Sequence, residues 1–239
     1  MPCVSIFHTN DFHNKLTRVK AQGIRELKAS TPNSLLLDAG DAIWAGNVYF
    51  RPGGEPVLKL MNEAGYDAMA LGNREFHFLA AGLRRKIGWA EFPVLSANIR
   101  PRGAADLPLR SDITFERGGI TVTVFGLTVP MITGRMLSSK VSSYVFDDPI
   151  ETAARLVPSL RERADVLIAL THIGLSTDRE LASGVPGIDL IVGGHTHCAL
   201  DKPEMVGGTA IVRAGWFGHH IGRVQFEVGG GIRAELLAL

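Results

Sequence analysis

Cysteine is nearly absent: Cys3 and Cys198 are the only two in 239 residues, too few for a disulfide framework. Long apolar runs are missing as well. A membrane-crossing helix needs roughly 18 or more consecutive apolar residues, and here charges interrupt even the Leu-rich segments within a few positions. The opening Met-Pro-Cys-Val-Ser-Ile-Phe-His lacks the charged start, apolar middle and cleavage site of a secretory leader, so a cytoplasmic protein with no membrane partner is expected. Neither sign of charge dominates: 25 basic against 24 acidic residues leave a formal net charge of +1, and no global field points to nucleic acid. There is no Walker-type Gly-x-x-x-x-Gly-Lys, no convincing nucleophile motif and no internal repeat. What remains is a near-average composition that fits one domain spanning 1–239.

Hydrophobic periodicity orders that domain. Strands are expected at Val4 to His8, Ser34 to Asp38, Tyr66 to Leu71 and Phe92 to Ile99. Helices are expected from Leu16 to Lys28 and from Glu55 to Ala64, with Gly65 as stop signal, and a third opens at Gly72 to His77 and runs through Arg85. Asp112 to Arg117 and Ile120 to Leu127, joined at Gly118-Gly119, read as a hairpin, and Ser-rich Thr133 to Tyr144 reads as a mobile surface loop. Asp147-Asp148-Pro149 starts a helix reaching Arg163, which Pro158 should kink or break. Asp165 to Leu170, Ile188 to Val192 and Thr209 to Ala214 follow as strands. A final antiparallel pair, Ile221 to Val228 and Ile232 to Leu237, is turned by Gly229-Gly230-Gly231. This order argues α/β or α+β layers over a mixed sheet core.

The unusual residues sit where strands end: Asp11 with His13, Asp41, Asn73, His172, and His195 with His197 after Gly193-Gly194. In layered α/β proteins ligands gather outside the carboxyl ends of strands, so groups far apart in sequence can converge there. Two carboxylates, one amide oxygen and four imidazoles suit Mn, Fe, Zn, Ni or Co better than Ca. Seven side chains are too many for a single ion with an open position, and a carboxylate bridging two ions resolves the count.

These residues, in order and spacing, resemble the signature of the calcineurin-like metallophosphoesterases. The resemblance rests on Phe7-His8-Thr9-Asn10-Asp11-Phe12-His13, Gly40-Asp41, Gly72-Asn73-x-Glu75, His172 and Gly194-His195-Thr196-His197. It is nearest to the amino-terminal domain of the 5'-nucleotidase branch, which Ser96-Ala97-Asn98-Ile99 and Ala214-Gly215-x-x-Gly218 also resemble. The resemblance implies a four-layer α/β/β/α sandwich with two mixed sheets. It implies a dinuclear metal site in which Asp11, His13 and His197 bind one divalent ion, Asn73, His172 and His195 bind the other, and Asp41 bridges them. Manganese is the expected metal, with Fe, Zn, Ni or Co as alternatives. Two ions about 3.5 to 4 Å apart hold a phosphoryl oxygen and activate water. The implied reaction is hydrolysis of a phosphomonoester or phosphodiester, such as a nucleotide, by attack of a metal-bridging hydroxide. Asn98 and His219 are substrate-binding candidates.

One loop departs from the family. Where it writes Gly-Asn-His-Glu or Gly-Asn-His-Asp, with an Asp three positions after the His, this chain has Arg74 and His77. An arginine does not transfer protons at ordinary pH. Arg74 is therefore expected as a fixed clamp on phosphoryl oxygens, with His77 as the titrating group and Asn73 beside them as a third catalytic candidate. Alternatives are an enzyme restricted to good leaving groups, a hydrolase of another oxyanion ester, and a metal-binding regulatory or scaffold domain without catalysis.

Other residues carry weaker signals. His8 reads as a core or ligand-orienting side chain, and Arg135 and Lys140 as solvated charges. Trp44, Phe76 and Trp216 read as wall packing with a stacking role as the alternative, and Cys198 reads as a small buried residue.

Overall fold

The computed structural model describes residues 3–227 and 231–239. The first half runs β1 (Cys3–Thr9), α1 (Arg18–Ala29), β2 (Ser34–Asp38), α2 (Pro56–Ala64), β3 (Ala68–Ala70), α3 (Ala80–Ile87), β4 (Val94–Leu95), β5 (Ile99–Pro101), β6 (Asp112–Arg117) and β7 (Ile120–Thr128). The second half runs β8 (Tyr144–Phe146), α4 (Pro149–Arg161), β9 (Val166–His172), α5 (Leu175–Gly184), β10 (Leu190–Gly193), β11 (Glu204–Val206), β12 (Thr209–Val212), β13 (His220–Glu227) and β14 (Ile232–Ala238).

Two six-stranded sheets carry the fold, ordered β14-β13-β1-β2-β3-β4 and β11-β12-β10-β9-β7-β6. Both are mixed: β1, β2, β3 and β4 run parallel in the first, with antiparallel strands on one side only, and β7, β9, β10 and β12 run parallel in the second between two antiparallel edges. Parallel strands buried on both faces should be apolar at every position. β2 and β9 are buried along their whole length, and their alternation assigns the two faces. Leu35 and Leu37 meet Ile168 and Leu170 between the sheets, whereas Leu36 turns outward to α1 and α2, and Leu167 and Ala169 turn to α4 and α5. The layers are therefore helix, sheet, sheet, helix. Because the parallel strands share a direction, their carboxyl ends open on one edge.

Several boundaries differ from the sequence reading. The helix expected to open at Gly72 and run through Arg85 begins only at Ala80. The amide of Gly72 donates to the Glu75 carboxylate and that of Arg74 to Asp41, and the Phe76 amide closes a single turn on the Gly72 carbonyl at 3.3 Å that does not continue into α3. The fourth strand divides into β4 and β5 because Asn98 takes the Thr128 amide and Ala97 donates to Gly126, pulling the chain across to the second sheet. Pro158 neither breaks nor ends α4, since Pro158 and Ala154, whose carbonyl loses its partner, both face solvent. The Ser-rich segment holds a short 3-10 turn, Leu137–Lys140, and its end forms β8 against β5. Two elements, α5 and β11, are unannounced in the sequence; α5 starts on Gly174 at φ 89° and buries only Asp178, Leu181 and Ala182. The expected turn at Gly229-Gly230, and Val228, lie outside the described residues.

Truncating the seam between the sheets tests its weight. Leu37→Ala is expected to cost about 2–5 kcal/mol, read as a lower denaturant midpoint at an unchanged slope.

Candidate metal centre

Seven side chains meet on the shared carboxyl edge: Asp11 and His13 after β1, Asp41 after β2, Asn73 after β3, His172 at the end of β9, and His195 and His197 after β10. The centre therefore straddles both sheets. Glycines let the loops approach: a Cβ on Gly72 would lie 2.2 Å from the Asp41 amide, and one on Gly194 would lie 2.7 Å from the Ala39 carbonyl. The backbone is also strained where it matters. Eight non-glycine residues have positive φ among those described, and five of them are Asp11, His13, Asp41, His195 and His197. Each such residue stores on the order of 1–3 kcal/mol that its surroundings must hold.

The donor atoms form two overlapping groups, Asp11 with His13 and His197, and Asp11 with Asp41 and His172, each with its atoms within 4.8 Å of one another. On one side, Asp11 Oδ1 lies 3.6 Å from His13 Nε2 and 3.4 Å from His197 Nε2. On the other, Asn73 Oδ1 lies 3.1 Å from His172 Nε2 and 3.0 Å from His195 Nδ1. Asp41 reaches both: its Oδ2 is 3.6 Å from His13 Nε2 and its Oδ1 is 3.4 Å from His172 Nε2. Asp11 Oδ1 and His13 Nε2 are buried without any hydrogen-bond partner. Leaving a charged group that way is costly, and a divalent cation satisfies both atoms at once. The surrounding contacts aim the rest. His172 Nδ1 donates to the Ala39 carbonyl at 2.7 Å, which leaves Nε2 of the neutral ring as the free donor to a metal. Asp11 Oδ2 is occupied by the His195 amide (2.9 Å) and the Asn10 amide (2.8 Å), which turns Oδ1 inward. The residues fit a site for divalent metal.

Electrostatics point the same way. Burial alone would neutralise Asp41, yet the charge of His172, the nearby His13 imidazole and the hydrogen bond from the Arg74 amide hold it well below the usual carboxylate range. Burial likewise opposes the His172 imidazolium, but Asp41 and Asp11 push it up to about 9. Burial, together with the neighbouring Asp41 charge, pushes Glu75 up to about 7.

Several supporting residues carried no distinct role in the sequence reading. Glu75 accepts from the amides of Asp41 and Gly72 at 2.9 Å and of Ile43 at 3.1 Å, fastening two ligand loops together. Asn10 accepts from the Ala214 amide at 2.9 Å and donates to the Gly215 carbonyl. Arg213 and Asp178 form a fully buried ion pair behind the His195 loop; Arg213 Nη1 donates to the Gly194 carbonyl at 2.6 Å and to Thr196 Oγ1 at 2.8 Å, and Asp178 accepts from Thr171. Lys86 is buried on α3, with Nζ donating to the carbonyls of Gly46 (2.7 Å), Arg74 (2.6 Å) and Phe76 (2.8 Å). Of these, Glu75 and Asn10 stood in motifs; Arg213, Asp178 and Lys86 did not.

The remaining candidates separate. Arg74 stands at the centre: its Nε is 3.5 Å from Asp41 Oδ2, its Nη1 donates to the Trp44 carbonyl at 2.7 Å, and its guanidinium lies 5.0 Å over the Trp44 ring. His77 does not sit there as a titrating partner. It is buried between Phe50 and Phe78, and its Nδ1 accepts from the Leu79 amide at 3.0 Å at the start of α3. Burial and the nearby Lys86 charge lower its pKa, which favours the neutral ring. Asn98 is fully buried and spends its side chain on Thr128 and the Asp147 carbonyl, so it clips β5 to β7 and offers nothing to a substrate. His219 is exposed and meets Trp216 edge-on at 5.9 Å, while Trp216 stacks on His197 at 6.4 Å. His8 is core: burial lowers its pKa to about 3.

Two measurements probe this arrangement. At pH 7.5, divalent metal is expected to displace a proton from His172, seen by calorimetry as an enthalpy that varies with buffer ionisation; His172→Gln should remove that release and weaken binding. Arg213→Met strands a buried carboxylate and is expected to cost about 3–5 kcal/mol, whereas adding Asp178→Leu should restore much of it in thermal unfolding.

Comparison with known proteins agrees with this geometry. The calcineurin-like phosphoesterase family matches residues 4–199. A Bacillus subtilis protein named trifunctional nucleotide phosphoesterase YfkN is 37% identical over 263 residues, covering 93% of this chain and 18% of that protein. A snake venom 5'-nucleotidase from Gloydius brevicauda is 35% identical over 222 residues, covering 82% of this chain and 37% of that one. The chain thus spans less than half the length of either relative. Among solved structures, a 5'-nucleotidase precursor from Thermus thermophilus superposes with a TM-score of 0.85 at 26% identity, covering 99% of this chain and 54% of that one. The chain belongs to the calcineurin-like phosphoesterases, a family of metal-dependent phosphoester hydrolases.

Proposed function

We propose that residues 1–239 act as one dinuclear metallophosphoesterase domain that hydrolyses a phosphomonoester or phosphodiester, with nucleotides as the substrate class suggested by the names of its relatives. The observation that carries this reading is Asp41, whose two oxygens face different imidazoles, His13 and His172. A carboxylate so divided suits two ions better than one. Asp11, His13 and His197 would hold the first, and Asn73, His172 and His195 the second, with manganese favoured by a donor set of oxygens and imidazoles. Bound there, two divalent ions would polarise a phosphoryl oxygen and lower the pKa of water.

The chain's own residues supply the rest. Asp41 and Asp11, kept ionised by their surroundings, hold negative charge where cations gather. Arg74 places the free side of its guanidinium beside that cluster, where it can take a non-bridging phosphoryl oxygen and neutralise charge that grows during displacement. Glu75 and Lys86 keep the Arg74 loop from moving, and Trp44 supports the guanidinium from one face. His77 is assigned a positioning role through the start of α3.

Turnover of p-nitrophenyl phosphate and bis-p-nitrophenyl phosphate by manganese-loaded protein, beside metal analysis, tests the reading. Two ions per chain with hydrolysis of at least one substrate are expected, and Asp41→Asn should lower the rate on the order of 100-fold or more. Two bound ions without turnover would favour the regulatory or scaffold alternative.

A further inference from the structure

Arg74 is a built feature. Its carbonyl is held by buried Lys86, which gathers Gly46 and Phe76 with it, so the 44–46 and 74–76 segments are sewn together under one ammonium. That stitch presents the Trp44 carbonyl to Arg74 Nη1 and the Trp44 ring to its guanidinium face. Arg74 Nε is buried with no hydrogen-bond partner, turned toward Asp41. A guanidinium so fixed donates hydrogen bonds and charge but does not hand over a proton at ordinary pH.

The titratable groups that brace the Arg74 loop are committed elsewhere. Both Glu75 oxygens accept backbone amides. Lys86 Nζ has three carbonyl partners at 2.6–2.8 Å. His77 is buried between Phe50 and Phe78, with Nδ1 on the Leu79 amide. His219 is exposed and meets Trp216 edge-on, with no contact to Arg74. The other imidazoles, His13, His172, His195 and His197, face the metal donors. Among the described residues, the site has a charge clamp for the phosphoryl group and no titratable side chain in contact with Arg74 that is free to protonate the oxygen that leaves.

Resting on the phosphoesterase reading above, we propose that this centre cleaves bonds whose leaving oxygen departs as a stable anion, phosphoric anhydrides and aryl phosphates, and discriminates against alkyl monoesters such as a 5'-nucleotide. In that step a water oxygen bonds to phosphorus, the bond from phosphorus to the leaving oxygen breaks, and the leaving oxygen keeps the electron pair. The proton lost by water and the proton the leaving group finally gains are both exchanged with solvent. An alkoxide gains no proton from such a site, and proton donation in the transition state is worth roughly 100- to 10,000-fold where it operates. A phosphate or nitrophenolate leaving group needs none of it.

The test compares kcat/KM of manganese-loaded protein for ADP against AMP, and for p-nitrophenyl phosphate against phenyl phosphate. ADP and AMP share the nucleoside, so their ratio reads the bond cleaved more than the group bound. ADP is expected to exceed AMP by roughly 100-fold or more, and p-nitrophenyl phosphate to exceed phenyl phosphate in the same sense. Arg74→Gln should lower all four rates by a similar factor and weaken inorganic phosphate binding in calorimetry, because the clamp touches the group they share. AMP turnover within 10-fold of ADP would overturn the proposal, as would an Arg74→Gln defect confined to the poorer leaving groups. No hydrolysis of any of the four by protein with both ions bound would instead remove the phosphoesterase reading itself, and the proposal with it.

Discussion

Asp11 and Asp41 are two carboxylates buried side by side, each raising the cost of ionising the other, and the architecture of this edge answers that repulsion. Four imidazoles and one amide surround them, and hydrogen bonds from the Asn10, Arg74 and His195 nitrogens reach their oxygens from the outside. Even so, Asp11 Oδ1 and His13 Nε2 remain without partners. Packing that supports strained, positive-φ backbone at five of these residues would be wasteful in a loop with no cation to hold. The sandwich supplies that support: two parallel sheets open on one edge, and their facing apolar surfaces lock the loops of one to the loops of the other.

The supporting groups divide by what they brace. Glu75 ties the Asp41 loop to the Asn73 loop, and Arg213 with Asp178 braces the Gly194 to Thr196 turn from behind. A buried ion pair adds little stability by comparison with apolar packing, but it gives the loop carbonyl and hydroxyl a fixed donor. Lys86 does the same for the Arg74 loop. Rigidity of this kind is what electrostatic preorganisation requires, since donors already in place need not reorganise as charge develops.

Much of this was legible in the chain. Apolar strands, the Gly65 stop and the polar residues at strand ends gave an α/β or α+β layering and the seven ligand candidates, because burial on both faces and convergence at carboxyl ends are properties of local pattern, whereas the four-layer order came from the family resemblance. The misreadings came from side chains that redirect backbone. Glu75 takes the amides of Gly72, Asp41 and Ile43, tying the Gly72 segment to the Asp41 loop where a continuous helix was expected, and Asn98 takes the amide that splits a strand. Neither competition is visible in periodicity. His77 looked like a titrating partner at helical spacing from Arg74, and the delayed start of α3 instead makes it the acceptor for the Leu79 amide. Arg213 and Lys86 were silent because a lone basic residue reads as solvated surface until tertiary structure buries it.

The division of Asp41 between two ions is the centre of the account, and anomalous diffraction from crystals grown with manganese tests it most directly. Two peaks about 3.5–4 Å apart, one beside His13 and His197 and one beside His172 and His195, with an Asp41 oxygen directed at each, are expected. A single peak, or two that leave Asp41 uncoordinated, would contradict it.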